Sequence, residues 1–274
     1  MDDNIGAWLF TTGSFTAVYP FTSMKEAGDT LQRFADYVGI LDRLRTDLAL
    51  ELTVKNTEFQ AQARKLNVNI MHSEAEKYYQ NHTAERDIGE LKKRYRQQML
   101  CKKVPKHVWE YGFVHQAEVL SWISIGTTGR TGIEEVTGNT PDISEWLDFD
   151  FYNRVWWIDK KKPSTIDENV ILGRWLRISQ KICCDMCYWV LTVSTKVVSR
   201  TPVQHVTHDK MLNPAMVERI KGFDKSLEER LDDTNFTNKE AGDMCINDID
   251  HAVEAAHGNG SNTPSDDKYA DMLP

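Results

Sequence analysis

Between Ala7 and Ile123 the apolar spacing switches repeatedly between period 2 and period 3.6, and that alternation leaves few folds open. Ala7 to Phe10 and Phe15 to Phe21 read as strands joined by the turn Thr11-Thr12-Gly13-Ser14. From Ser23 to Val38 the residues Ala27, Leu31, Phe34, Ala35 and Val38 keep helical spacing, with Ser23 as N-cap and Gly39 as stop. Ile40 to Thr46 predicts a short strand running into Asp47, Thr57 to Leu66 a helix, and Val68 to Met71 another strand. Lys77 to Lys102 predicts one long helix, and Pro105 to Ile123 a further one with proline suited to its first turn. The order β-β-α-β-α-β-α-α calls for an α/β domain with some parallel pairing. In such sheets sites form at the carboxyl ends of strands, where Asp47 stands.

The second half changes character. Residues 126–142 are rich in Gly, Thr and Asn and read as a linker or long loop. Tyr152 to Ile158, Leu172 to Ile178, Tyr188 to Val193 and Lys196 to Ser199 are short strand-like runs, which predicts a small β-barrel. Beyond His208 a helix can start at Asn213-Pro214, with Val217, Ile220, Phe223, Leu227 and Leu231 on one face. Residues 258–268 are of low complexity and predict disorder. The expected domains are therefore 1–125 (α/β), 126–148 (linker), 149–208 (small barrel) and 209–274 (tail with one short helix, largely disordered).

Charge has to be read by segment. The net charge of −8 argues against a nucleic-acid partner, yet up to His208 there are 26 Lys and Arg against 26 Asp and Glu. The acidity sits in the tail, and the body is neutral with local basic stretches. No apolar run can span a bilayer and no amino-terminal segment resembles a secretion signal, so an intracellular protein of nucleus or cytoplasm is expected, with no membrane partner. Five cysteines, an odd number, fit a reducing setting.

Few residues carry chemistry. Asp47 at a strand end and Glu85 at the start of the long helix could share a divalent metal, the geometry that phosphoryl transfer needs. The same residues also serve as an ordinary turn aspartate and a first-turn glutamate favoured by the helix dipole. Along that helix Ala84, Ile88, Leu91, Tyr95 and Met99 form an apolar stripe, and Glu85, Gly89, Lys92 and Arg96 the adjacent one. Lys and Arg following a carboxylate in this way suit phosphate contacts, or simply a solvated face with pairs such as Glu90 and Arg94. Cys183-Cys184-x-x-Cys187 offers one C-x-x-C, half of what a structural zinc site needs, so no zinc is expected. Lys160-Lys161-Lys162 reads as a solvated loop, with nuclear import or DNA contact as the rival reading. No P-loop, G-x-G-x-x-G or G-x-S-x-G is present, which leaves nucleotide hydrolysis of that type, dinucleotide chemistry and acyl transfer without support.

Leu44-Arg45-Thr46-Asp47-Leu48-Ala49-Leu50-Glu51-Leu52 resembles the second-aspartate segment of copia-type retrotransposon integrases, usually Thr-Asp-Asn-Gly-x-Glu-Phe. Gln80-Asn81-His82-Thr83-Ala84-Glu85-Arg86 resembles their Gln-Asn-Gly-x-Ala-Glu-Arg, which carries the third carboxylate. Pro105 to Ile123 is similar to the helix that follows. Gly138 to Tyr152 resembles the connection to the small post-catalytic domain, and Tyr188 to Arg200 its final strands. The resemblance spans about residues 6 to 208.

It implies an RNase H-like mixed sheet with flanking helices, followed by a small SH3-like β-barrel. It implies DNA integration by a three-carboxylate polynucleotidyl transferase, with Asp47 and Glu85 as catalytic ligands of Mg²⁺ or Mn²⁺. DNA, both element ends and target, would be the partner, alongside self-association. Charge alone adds Lys92, Lys93, Arg94 and Arg96 as backbone contacts. The chain departs from the family pattern in three places. The strand that carries the first aspartate has no counterpart before Gly6, which reads as amino-terminal truncation. Leu48-Ala49 replaces Asn-Gly, and Asn81-His82 replaces the second Asn-Gly. Weak or absent strand transfer is expected on these grounds. A non-catalytic nucleic-acid-binding or interaction protein of retroelement descent, or a remnant without selected function, are the alternatives.

Overall fold

The computed structural model describes residues 4–39, 41–46, 50–54, 57–72, 82–123, 128–158, 170–179, 187–201, 203–208 and 212–231. Met1–Asp233 form one compact unit, and the second unit, Thr234–Pro274, lies outside the described residues. The architecture is mixed α/β.

The chain opens with a hairpin of β1 (Gly6–Thr12) and β2 (Phe15–Phe21), paired antiparallel from Gly6↔Phe21 to Thr12↔Phe15. The turn is only two residues long, and Gly13 meets its demand for a positive φ of 56°. Ser23 then starts a helical turn by a capping box: Glu26 accepts the Ser23 N–H at 2.9 Å, and the Ser23 hydroxyl accepts in return. Helix α1 (Ala27–Val38) buries Ala27, Leu31 and Phe34 and stops at Gly39, whose φ of 96° few other residues tolerate. Strand β3 (Arg43–Thr46) lies parallel to β4 (Asn69–His72), with α2 (Leu50–Thr53) and α3 (Glu58–Lys65) between them in sequence. Thr57 caps α3. Phe10, Phe15, Leu31, Phe34, Phe59, Ala63 and Val68 make one core, with Leu44 and Ile70 packed against it.

Two long helices follow, α4 (His82–Cys101) and α5 (Trp109–Trp122). Leu91, Val114 and Ala117 join them to Val18 of the hairpin. Residues 126–142, read above as a loop, contain α6 (Gly132–Thr137). Its capping box of Thr131 and Glu134 is the S/T-x-x-E signal that the Gly and Thr content around it hides. Glu135 accepts the Ser14 N–H at 2.8 Å and so ties α6 to the hairpin turn. After α7 (Ser144–Asp148) comes a five-stranded antiparallel sheet of β5 (Arg154–Ile158), β6 (Val170–Ile178), β7 (Tyr188–Thr192), β8 (Val197–Arg200) and β9 (Val203–His205). The strand order is β8-β7-β6-β5-β9.

That order has a geometric consequence. β8 and β9 are the two opposite edges, yet only Thr201 and Pro202 join them. Three peptide steps reach about 11 Å at most, so the sheet must curl until its edges stand close together. No ladder joins them, so the barrel read from the sequence is not closed by hydrogen bonds among the described residues. The first half departs from its expectation in the same way. The β1–β2 and β3–β4 pairs stand as two separate two-stranded sheets, because no described strand bonds to both. Helix α8 (Pro214–Leu231) places Ile220, Phe223, Leu227 and Leu231 in the core of the curled sheet, with Trp156, Trp175, Leu176, Tyr188 and Leu191.

Candidate functional site

The parallel pair sets the first location. Its register puts Thr46 beside His72, and the Thr46 hydroxyl lies 3.0 Å from His72 Nδ1. Both strands therefore present their carboxyl ends side by side. Asp47 is the next residue of the chain after Thr46 and lies outside the described residues. His72 was not singled out in the sequence; only the in-register pairing of two strands 26 residues apart reveals it.

Helix α4 supplies the second expected carboxylate. Leu91 and Met99 are buried, whereas Glu85, Gly89, Lys92 and Arg96 are exposed, so the two stripes fall as the periodicity requires. Lys93 and Arg94 are exposed as well. Arg94 donates to Glu90 at 2.6 Å, an exposed i,i+4 pair whose energetic contribution is small. Lys92, Lys93 and Arg96 thus form a solvent-facing cationic row running away from Glu85. Among the described residues no three His, Cys, Asp or Glu side chains converge as a metal centre demands. The described residues do not by themselves make up a two-metal centre. Of the remaining candidates, Lys160–Lys162, Cys183 and Cys184 lie outside the described residues. Cys187 is buried with its sulfur 2.8 Å from the Ser199 hydroxyl, and His205 stacks on Phe149 with centroids 4.2 Å apart.

A second location escaped the sequence. A groove of about 780 Å³ runs along β2, between α1 and α5, and ends near β6 and β7. Glu118 of α5 is buried in its wall and accepts from Arg177 of β6. Burial pushes the Glu118 carboxyl up, and the guanidinium opposes that. One turn before it, His115 is held between Phe151, stacked with centroids 5.4 Å apart, and Trp175, edge-on at 5.4 Å. Burial first, and Arg177 second, push the imidazole down to about 3, so it is neutral. Tyr19 is pushed up to about 12, mainly by burial, and Arg33 lies over its ring at 4.8 Å. Tyr37 is likewise raised by burial and then by Glu118, with the Trp122 indole opposing the shift. Four carboxylates line the groove (Glu26, Asp36, Glu110, Glu118) against two guanidiniums (Arg33, Arg177).

No protein-family profile matches the chain, and no curated protein is similar to it. Among solved structures it is similar to one described as the simian T-cell lymphotropic virus intasome in complex with PP2A regulatory subunit B56 gamma. That likeness covers 73% of this chain and 71% of the other, at 11% identity and a TM-score of 0.41.

Proposed function

We propose that this chain is an integrase-like protein that holds DNA by its phosphate backbone. The observation that carries the reading is the exposed row of Lys92, Lys93 and Arg96 on α4, which lies about two to three turns beyond Glu85. Cations on a rigid helix face, with no acidic partner for this row among the described residues, contact phosphates without reading sequence. Placement of the acidic surplus in the tail leaves the body free of net repulsion toward DNA. The finer reading is a copia-type retrotransposon lineage with an RNase H-like first half and an SH3-like second half. It rests on the ordered series of segments from Leu44 to Arg200.

Strand transfer itself is the second reading. It is favoured by Asp47 directly after β3, at the carboxyl end of a parallel pair, and by Glu85 in the first turn of α4. Mg²⁺ or Mn²⁺ would be the cofactor, and self-association a partner relation of the same lineage. A strand-transfer assay on labelled element-end DNA with either metal separates the two readings. The binding reading expects stable complexes and no joined product, for wild type and Glu85→Gln alike. Joined product that Glu85→Gln abolishes would establish the catalytic reading in its place.

A further inference from the structure

The groove along β2 lies over an open sheet edge. α5 packs Val114 and Ala117 against Val18, whereas Phe15 and Tyr19 face α1 through Phe34, Tyr37 and Arg33. The two helices therefore cover opposite faces of the hairpin. A groove lined by both must pass over the edge of β2 that β1 does not occupy.

The backbone at that edge can be followed residue by residue. Thr16 turns its N–H and C=O outward, and the Ser121 hydroxyl satisfies both, each at 2.7 Å. In a strand, residues two apart point the same way, so Val18 and Pro20 present their backbone groups on the same edge. No described strand pairs with them. Pro20 lacks an N–H, which leaves Val18 N–H, Val18 C=O and Pro20 C=O as a short open ladder. Ser121 already satisfies Thr16, so the open stretch of this edge lies toward Thr22.

Carboxylates outnumber guanidiniums in the groove by four to two, with Glu26 engaged by Thr22 and Ser23 and Glu110 by Asn4. Arg177 is taken by Glu118, and Arg33 is spread over the Tyr19 ring. Glu118 Oε2 is buried and accepts no hydrogen bond from the described residues. Asp36, exposed on α1, faces the same groove from the other side.

We propose that this groove takes an extended peptide segment of another protein as a third strand on the edge of β2, with a lysine or arginine side chain turned toward the carboxylates. Strand addition supplies affinity through main-chain hydrogen bonds, and alternate side chains supply selectivity. A bound strand would set alternate side chains toward α1, where Asp36 stands, and toward α5, where Glu110 and Glu118 stand. Basic character is what the surplus of carboxylates selects.

The test uses the full chain and two labelled peptides, Val-Arg-Val-Lys-Val and Val-Glu-Val-Asp-Val. Binding is read by fluorescence anisotropy, and the Val18 amide by hydrogen exchange. The basic peptide should bind, slow exchange at Val18, and bind about 10-fold more weakly to Asp36→Lys, a change of about 1.4 kcal/mol. Asp36 is exposed, so that variant should fold as the wild type does. Equal binding of the acidic peptide, no binding at about 1 mM, or binding without protection of Val18 would overturn the proposal. So would protection of Val18 that grows with protein concentration alone, because the edge would then belong to a second copy of the chain. Competition by agmatine that matches the peptide in affinity would show that a free cation suffices, and would equally overturn it.

Discussion

His115 shows how one buried group can set a pH response. It lies between Phe151 and Trp175, and its folded-state value of about 3 is far below the ordinary histidine value of 6.5. The unfolded chain therefore binds a proton that the folded chain refuses. Stability is fully present above about 6.5 and is lost as the pH falls toward 3, by about 1.4 kcal/mol per pH unit from this residue. Urea unfolding between pH 6.5 and 4 should show that slope, and His115→Phe should flatten it. The neighbouring Glu118–Arg177 pair behaves differently. Removing one partner strands a buried charge, so Arg177→Met should cost about 3 kcal/mol. The double variant Arg177→Met/Glu118→Leu should regain most of that loss, read as melting temperature. Neither residue was legible in the sequence. α5 has mostly apolar or aromatic neighbours on every side of its wheel, so no polar face marks Glu118 as buried. Its partner lies 59 residues away on a strand.

Elements were more legible than their contacts. Ser23 and Gly39 announced the ends of the helical stretch that leads through a short 3-10 turn into α1, because caps act locally and leave a residue signature. The face of α8 was readable from Ile220, Phe223, Leu227 and Leu231, but its place in the sheet core was not. That place also depends on Asp224, which accepts from Arg154 at 2.7 Å and from Arg174 at 2.6 Å. Leu227 is 1% exposed, so Leu227→Ala should destabilise the chain by about 2–5 kcal/mol in denaturant unfolding. α6 was hidden for the opposite reason. Six residues flanked by turn formers carry too little periodicity to stand out, and the helix is held by contact with the hairpin. A Cβ on Gly132 would lie 2.4 Å from the Ser14 carbonyl oxygen. Gly132→Ala should therefore force the two apart and cost about 1–3 kcal/mol, seen as a lowered melting temperature.

At the scale of the whole molecule, charge is segregated along the chain. The tail carries the net acidity, the body is neutral, and α4 exposes Lys92, Lys93 and Arg96 in one row. The parallel pair β3–β4 was legible from two short apolar runs with a helix between them. The absence of any described ladder from it to the β1–β2 hairpin was not, because strand pairing between distant segments leaves no local mark. The curl of the second sheet likewise follows from strand order and from the two-residue step between β8 and β9, neither of which composition reveals.

The central claim is that α4 holds DNA through Lys92, Lys93 and Arg96. Affinity for a short duplex, measured as a function of salt, tests it most directly. Each phosphate contact contributes about −0.9 to the slope of log affinity against log salt, so Lys92→Gln/Lys93→Gln/Arg96→Gln should reduce the slope by about 2–3 and weaken binding at every duplex sequence alike. A wild-type chain that does not bind DNA at low salt, or a triple variant with the same affinity and slope as wild type, would contradict the account.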